Sequence, residues 1–190
     1  MYGAYPCDDL RHKFLLAAGS KVTAISSPDF PKELEVIPLP GHSFDMIGIR
    51  TPDDTVFIAD CISSEATLLK YRFAFIYDVA AYLSTLDKVE AMTAAVFIPA
   101  HADASANIAE LVRFNRKNVH EIAETILKLC KAPSNFEALL KSAFEMYNLT
   151  MNFEQYVLVG STLKSYLSWL KDSGRITARF EDNMLYWLAT

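Results

Sequence analysis

The chain has 190 residues, carries 18 Lys and Arg against 23 Asp and Glu, and has a formal net charge of -5. That balance excludes a general binder of the nucleic-acid backbone, which needs a basic face to displace counterions. An apolar share of 52%, with six Gly and eight Pro, excludes disordered and collagen-like chains and leaves ample material for a core. No apolar run approaches the roughly 20 residues that cross a bilayer, and the opening MYGAYPCDDLRHK lacks the basic-then-apolar layout of a signal peptide. A soluble cytoplasmic protein with no membrane partner is expected. Cys7, Cys61 and Cys130 are odd in number and lack CxxC spacing, so neither a disulfide framework nor a cysteine-rich zinc site is indicated.

In chain order, Tyr2 to Pro6 reads as an extended loop, and Asp8 is placed to cap a short helix through Ala18. Lys21 to Ile25, Leu34 to Leu39, Met46 to Thr51, Thr55 to Ala59 and Ala95 to Ile98 are rich in Val, Ile and Phe and predict strands. Asp53-Asp54 predicts a hairpin turn between two of them. Tyr71 to Met92 predicts one long helix, because Phe73, Ile76, Tyr77, Ala80, Leu83 and Leu86 recur at steps of three or four. A helix there covers a sheet, which gives a layered α/β or α+β arrangement.

Beyond a boundary near Asn115 to Asn118 the period turns helical, beginning with Val119, Ile122, Ile126 and Leu129. Ser134 with Glu137 reads as a capping box opening a helix to Asn148, and Asn152 with Gln155 repeats the signal. Gly160 is expected to interrupt the next helix or to separate two, and Gly174 stands where a C-cap glycine belongs. Ile176 to Phe180 and Met184 to Leu188, joined by Glu181-Asp182-Asn183, predict a hairpin. Three helices followed by a hairpin is the order of a winged-helix module.

Three residues that could bind a metal share one setting. His42 follows a strand in LPGHS, Asp60 ends a strand in VFIADC, and His101 follows a strand in FIPAHAD. Side chains at the ends of neighbouring strands can converge, and two imidazoles with a carboxylate suit zinc or another first-row divalent ion. Taken singly, each has a plainer reading as a loop histidine or a turn-forming Asp. His12 and His120 fall on predicted helices and read as solvated or capping side chains. Tyr71, Arg72 and Tyr77 read as surface or packing residues. No serine nucleophile elbow, phosphate loop or dinucleotide fingerprint is present, and no catalytic side chain is assigned.

LEVIPLPGHSFDMIGIRTPDDTVFIADCIS, followed by a helix and AAVFIPAHAD, resembles the C-terminal half of a metallo-β-lactamase-fold hydrolase over roughly residues 20 to 105. The resemblance implies an αββα sandwich with a metal site, usually dinuclear zinc, at one edge of its sheets. It implies that His42 matches the histidine of the first metal site, Asp60 the carboxylate bridging both metals, and His101 the last histidine, on the second. Ala59 and Ala100 stand where the family often has Gly. The family's earlier HxHxDH motif has no counterpart: His12 is the one histidine before His42, and its setting LRHKF does not fit. The tail is similar to the winged-helix extension of some members.

The expected fold class is therefore α+β. Residues 1–117 are expected to form half of an αββα sandwich, and residues 118–190 a winged-helix-like helical domain. Without HxHxDH each metal keeps one histidine and a shared carboxylate, below the three protein ligands of a typical catalytic zinc site. This chain is expected to be inactive or nearly so by itself, with zinc partly bound or not bound. The alternative is a non-catalytic module, truncated or degenerate. Half a sandwich exposes an apolar face, so self-association is expected. From residue 117 to 190 Lys and Arg number eight and Asp and Glu also eight, which argues against nucleic acid as a partner.

Overall fold

The structure, a computed structural model, describes residues 3–11, 16 and 19–190. The expected helix through Ala18 and the setting of His12 lie outside them in large part. Asp8–Leu10 forms a single 3-10 turn in which Asp8 is an internal residue and the preceding Cys7 makes no side-chain cap.

Four strands build the principal sheet: β1 (Glu35–Pro38), β2 (Ile47–Arg50), β3 (Thr55–Ser63) and β4 (Val96–His101), in that spatial order. β1, β2 and β3 run antiparallel, and β4 lies parallel to β3. The turn at Asp53-Asp54 is present; Asp54 takes a left-handed φ of 61° and the Asp53 carboxylate accepts from the hydroxyls of Thr51 and Thr55. Arg50 ties this end together, pairing with Glu35 at 3.3 Å and with Asp54, and donating to the Thr93 carbonyl at 3.0 Å. Strand alternation sends Ile37, Val56, Ile58 and Phe97 into the core. The opposite face carries Val36, Ile49, Phe57 and Ile98, which are successive cross-strand partners in one row. The predicted strand at Lys21 to Ile25 does not form: the segment is irregular, with Val22 and Ile25 exposed, and no neighbouring strand pairs with it. β-propensity without a ladder partner is not enough to make a strand.

Between β3 and β4, the helix predicted from Tyr71 to Met92 forms only as α2 (Val79–Ala91), and a separate short helix, α1 (Glu65–Tyr71), precedes it. Ser64 caps α1 by accepting from the Thr67 N–H, and Asp78 caps α2 by accepting from the Ala81 N–H. Arg72, at φ 52°, ends α1. The backbone from the Arg72 carbonyl to Asp78 then bonds to distant side chains and loops, with no helical ladder of its own. Asn118 donates to the Arg72 carbonyl, the Ile76 N–H donates to Thr162 Oγ1, and Ser165 donates to the Tyr77 carbonyl. Aromatic residues are weak helix formers, so Tyr71 to Tyr77 loses little by leaving the helix.

α3 (Ala109–Leu129) packs beside α2 and is locked to it by Arg116, which reaches Asp87 at 2.8 Å and Glu90 at 2.7 Å, and by Arg113 on Glu90 at 2.9 Å. It runs unbroken through residues 117 and 118. β5 (Ser134–Asn135), α4 (Phe136–Met146), α5 (Phe153–Asp172), β6 (Ile176–Glu181) and β7 (Met184–Ala189) complete the chain. The expected capping box at Ser134 is corrected: Ser134 is held in β5, and Asn135 caps α4 by accepting from the Ala138 N–H. Asn152 caps α5 through the Gln155 N–H, as its spacing predicts. Gly160 does not interrupt α5; it lies buried where that helix passes Phe136 and Leu140 of α4. Gly174 takes φ +73° just past α5, and its N–H bonds to the Lys171 carbonyl. Asp182 and Asn183, both at positive φ, form the two-residue turn between β6 and β7. One hydrophobic cluster runs from Ile37 and Val56 through Val112 and Ile126 to Leu163 and Leu170, so sheet and helical tail share a core.

The hydrogen bonds from Arg116 first, and then from Arg113, hold the Glu90 carboxyl below the usual carboxylate range. A carboxyl lowered in the folded state contributes stability above its unfolded value, and that contribution is lost as pH falls through the folded value. Glu90→Gln should therefore lower the Tm at pH 7, and the gap to the parent chain should close below about pH 4; thermal melts at both pH values measure it.

Candidate functional site

The three residues singled out by sequence meet at one edge of the sheet. Asp60 Oδ1 lies 3.0 Å from His101 Nε2, and Asp60 Oδ2 lies 3.9 Å from His42 Nε2. His42 and Asp60 are partly shielded, whereas His101 is 60% exposed.

His42 is aimed by the loop after β1. Gly41 has φ +128°, and a Cβ there would stand 2.3 Å from the Tyr82 Cα and 2.4 Å from its backbone N. Only glycine permits this approach. The Gly41 carbonyl accepts from the N–H groups of Tyr77 and Asp78, while Thr85 and Lys88 of α2 donate to the carbonyls of Pro40 and Pro38. The ring of Phe75 meets the imidazole edge-on at 5.4 Å. Burial lowers the His42 pKa; Asp60 and a hydrogen bond to the Phe75 backbone oppose that shift, and His101 adds to it. Burial thus favours the neutral imidazole, the form that binds metals.

Asp60 is aimed by a break in the β3–β4 ladder. The register shifts on both sides of Ala59, which takes φ 47°. That left-handed residue is the physical reason a glycine suits the position. The neighbouring Cys61 thiol is buried in the core, where burial, and then Asp60, push its pKa up to about 12.

The end of β3 is held by Asn115 of α3, a side chain only 2% exposed. Its Oδ1 accepts from the Ser63 N–H at 3.0 Å and from the Tyr82 hydroxyl at 3.3 Å, and its Nδ2 donates to the carbonyls of Ser63 and Leu111 at 2.9 Å. Ser63 pairs with His101 in the ladder, and the Ser64 N–H donates to the His101 carbonyl. Asn115 therefore fixes the strand ends that carry Asp60 and His101.

A cleft of about 430 Å³ opens beside the three polar residues, walled by Tyr71, Phe73 and Phe75 on one side and by Gln155 and Leu158 of α5 on another. Tyr71 is thus part of the candidate site, whereas Tyr77 lines a separate groove with Lys164 and Trp169. Sequence reasoning missed Asn115, Gln155 and Leu158. A buried Asn amid an apolar helix face was a usable signal; that α5 folds back onto the sheet edge was not visible in any local pattern.

Two imidazoles and a carboxylate fit a divalent ion in kind, and their separations bracket the roughly 3.3 Å between two ligands on tetrahedral zinc. In number and placement they fall short. Among the described residues no set of three His, Cys, Asp or Glu side chains is placed to hold a metal ion. No catalytic step through a metal follows from this chain alone.

The fold is that of metallo-β-lactamase domains. A crystal structure of a β-lactamase domain protein from Burkholderia ambifaria matches with a TM-score of 0.70 at 14% identity, over 83% of this chain and 47% of that one. A metallo-β-lactamase family protein from Thermus thermophilus matches with a TM-score of 0.64 at 14% identity, over 83% of this chain and 49% of that one. The chain thus spans about half the length of the structures it matches. No family model matches the sequence, and no curated protein matches it.

The positions preceding His42 and Asp60 have opposite expected responses. Ala59→Gly should raise stability by about 0.5–1 kcal/mol, the left-handed cost of Ala less the flexibility cost of Gly, or roughly 2–3 °C in Tm. Gly41→Ala should cost about 3 kcal/mol through backbone overlap and strain; paired thermal melts of both variants test the assignment.

Proposed function

We propose that this chain carries the C-terminal part of a metal-dependent hydrolase of the metallo-β-lactamase superfamily, and that it is inactive or nearly so by itself. Zinc is the expected ion, and His42, Asp60 and His101 are the chain's share of its ligands. Residues 1–117 supply half of the sandwich, and residues 118–190 a winged-helix-like part joined to it through α3. The observation that carries this reading is the placement of Asp60 within reach of both imidazoles at the sheet edge of this fold. Hydrolysis by such a site needs an ion that brings bound water towards a pKa of about 7 in fixed geometry. Three donors without the two histidines and the Asp-His pair of an HxHxDH segment do not provide that. The bond cleaved is an ester, thioester, amide or phosphate bond. The unpaired thiols Cys61 and Cys130 accord with work in the cytoplasm.

A second reading, a non-catalytic structural module, is favoured by the direct contact of His101 with Asp60 and by the want of any three-donor set among the described residues. Metal titration separates the two. Under the hydrolase reading the purified chain takes up zinc weakly, Asp60→Ala removes that uptake, and added polypeptide carrying an HxHxDH segment tightens it and brings ester or thioester hydrolysis. Zinc uptake unaffected by Asp60→Ala, or enzyme-like hydrolysis by the 190 residues alone, contradicts it.

The apolar row Val36, Ile49, Phe57 and Ile98, with Phe57 43% exposed, supports self-association through a second copy of this sheet face. Light scattering should show a dimer or larger species that Phe57→Lys converts to monomer. A monodisperse parent monomer rules the proposal out.

A further inference from the structure

We infer that the cleft beside His42, Asp60 and His101 receives an uncharged apolar group of the substrate, aryl or acyl, and not a phosphoryl group. The inference rests on the hydrolase reading above and names the part of the substrate that this cleft holds beside the metal site. Its basis is the chemistry of the walls. Phe73 is buried against Tyr147, with ring centroids 5.3 Å apart, so that wall is fixed. Phe75 is anchored beside the His42 ring, and the segment carrying both Phe73 and Phe75 is pinned to α5 through Thr162 and Ser165. Leu158 and Gln155, three residues apart on α5, share one helix face and close the cleft from the other side. Apolar walls with one or two placed polar groups suit a small organic ligand, and the Gln155 amide can recognise a carbonyl or an N–H next to the scissile group.

A phosphoryl group has different needs. Away from the metal site itself, two negative charges call for Arg or Lys or a cradle of backbone N–H groups. No Arg or Lys lines the cleft among the described residues, and the carboxylate of Asp60 faces into it. Lys70 lies outside that lining and is engaged over the ring of Tyr71, 4.7 Å from its centroid.

The test uses the 190-residue chain in EDTA, with 2-naphthol and phenyl phosphate as probes and amide chemical shifts as the readout. 2-Naphthol should give saturable shifts at Ala74, Phe75 and Leu158. Leu158→Lys, which puts a cation on the wall, and Ala74→Trp, which fills the space, should each weaken it at least tenfold while leaving the spectrum well dispersed. Phenyl phosphate should bind at least tenfold more weakly to the parent chain. Shifts that are absent or scattered, affinity unchanged in both variants, or phenyl phosphate binding as tightly as 2-naphthol overturns the inference. Zinc uptake by Asp60→Ala keeps the outcomes distinct: its loss supports the metal reading, whichever way the naphthol shifts of the parent chain fall. Zinc uptake that ignores Asp60 counts against the metal reading alone.

Discussion

The buried amide of Asn115 is the contact on which the candidate site depends. It bonds to both backbone groups of Ser63, to the Leu111 carbonyl and to the Tyr82 hydroxyl, and so joins β3, α3 and α2 at one point. An unsatisfied amide at that depth costs about 1–3 kcal/mol for each group left without a partner. The whole network must therefore form together. β3 is otherwise irregular here, since the ladder slips on both sides of Ala59. Beyond the slip, the Ser63–His101 pairing, the Ser64 N–H on the His101 carbonyl and the Asn115 clamp together set how far Asp60 stands from His101. The opposite margin of the site is held by the close approach of Gly41 to Tyr82 and by Thr85 and Lys88 on the carbonyls of Pro40 and Pro38. Tyr82 thus serves both sides, its hydroxyl on Asn115 and its backbone against Gly41.

The same network explains why sheet and helical tail form one body. α3 carries Asn115 towards the sheet and, on later turns, Ile122 and Ile126 towards α4 and α5. A helix that is amphipathic over its whole length, with both ends buried in the same cluster, transmits the position of one part to the other. α5 in turn bonds to the segment between α1 and α2 through Thr162 and Ser165, and places Leu158 and Gln155 at the cleft. The tail is accordingly a wall of the site. Its zero net charge and the acidic tip of its hairpin at Glu181 and Asp182 fit that role better than contact with a phosphate backbone.

Much of this was legible in the sequence, and the limits have physical causes. The four strands of the principal sheet, the hairpin turn at Asp53-Asp54, the cap at Asn152 and the terminal hairpin follow from local rules of propensity and turn chemistry, and each is present. His42, Asp60 and His101 were recognisable from the repeated strand-then-ligand pattern, although Asp60 lies at a bulge within β3 and not at its end. The failures share a different character. The helix predicted from Tyr71 starts only at Val79, because distant residues, Asn118, Thr162 and Ser165, offer the preceding backbone other partners. α5 passes Gly160 unbroken because packing against Phe136 and Leu140 outweighs a propensity cost of about 1 kcal/mol. Lys21 to Ile25 has the composition of a strand and pairs with neither edge of the sheet. In each case a tertiary partner, or its lack, overrode a local preference.

Ala59 shows how the two levels meet. Its left-handed backbone is imposed by the bulge that turns Asp60 out of the ladder, and the sequence keeps a Cβ there at a cost of about 1–2 kcal/mol. A cost of that size persists only when the surroundings over-determine the conformation. Here the surroundings are the β4 pairings before the slip and the Asn115 clamp after it, which together leave the intervening residues no other course. The orientation of Asp60 is thus a product of long-range fixation at both ends of a short arc. Such an arc survives a substitution within it more readily than the loss of either anchor, and this is why the amide of Asn115, remote from any reacting atom, governs the geometry of the edge.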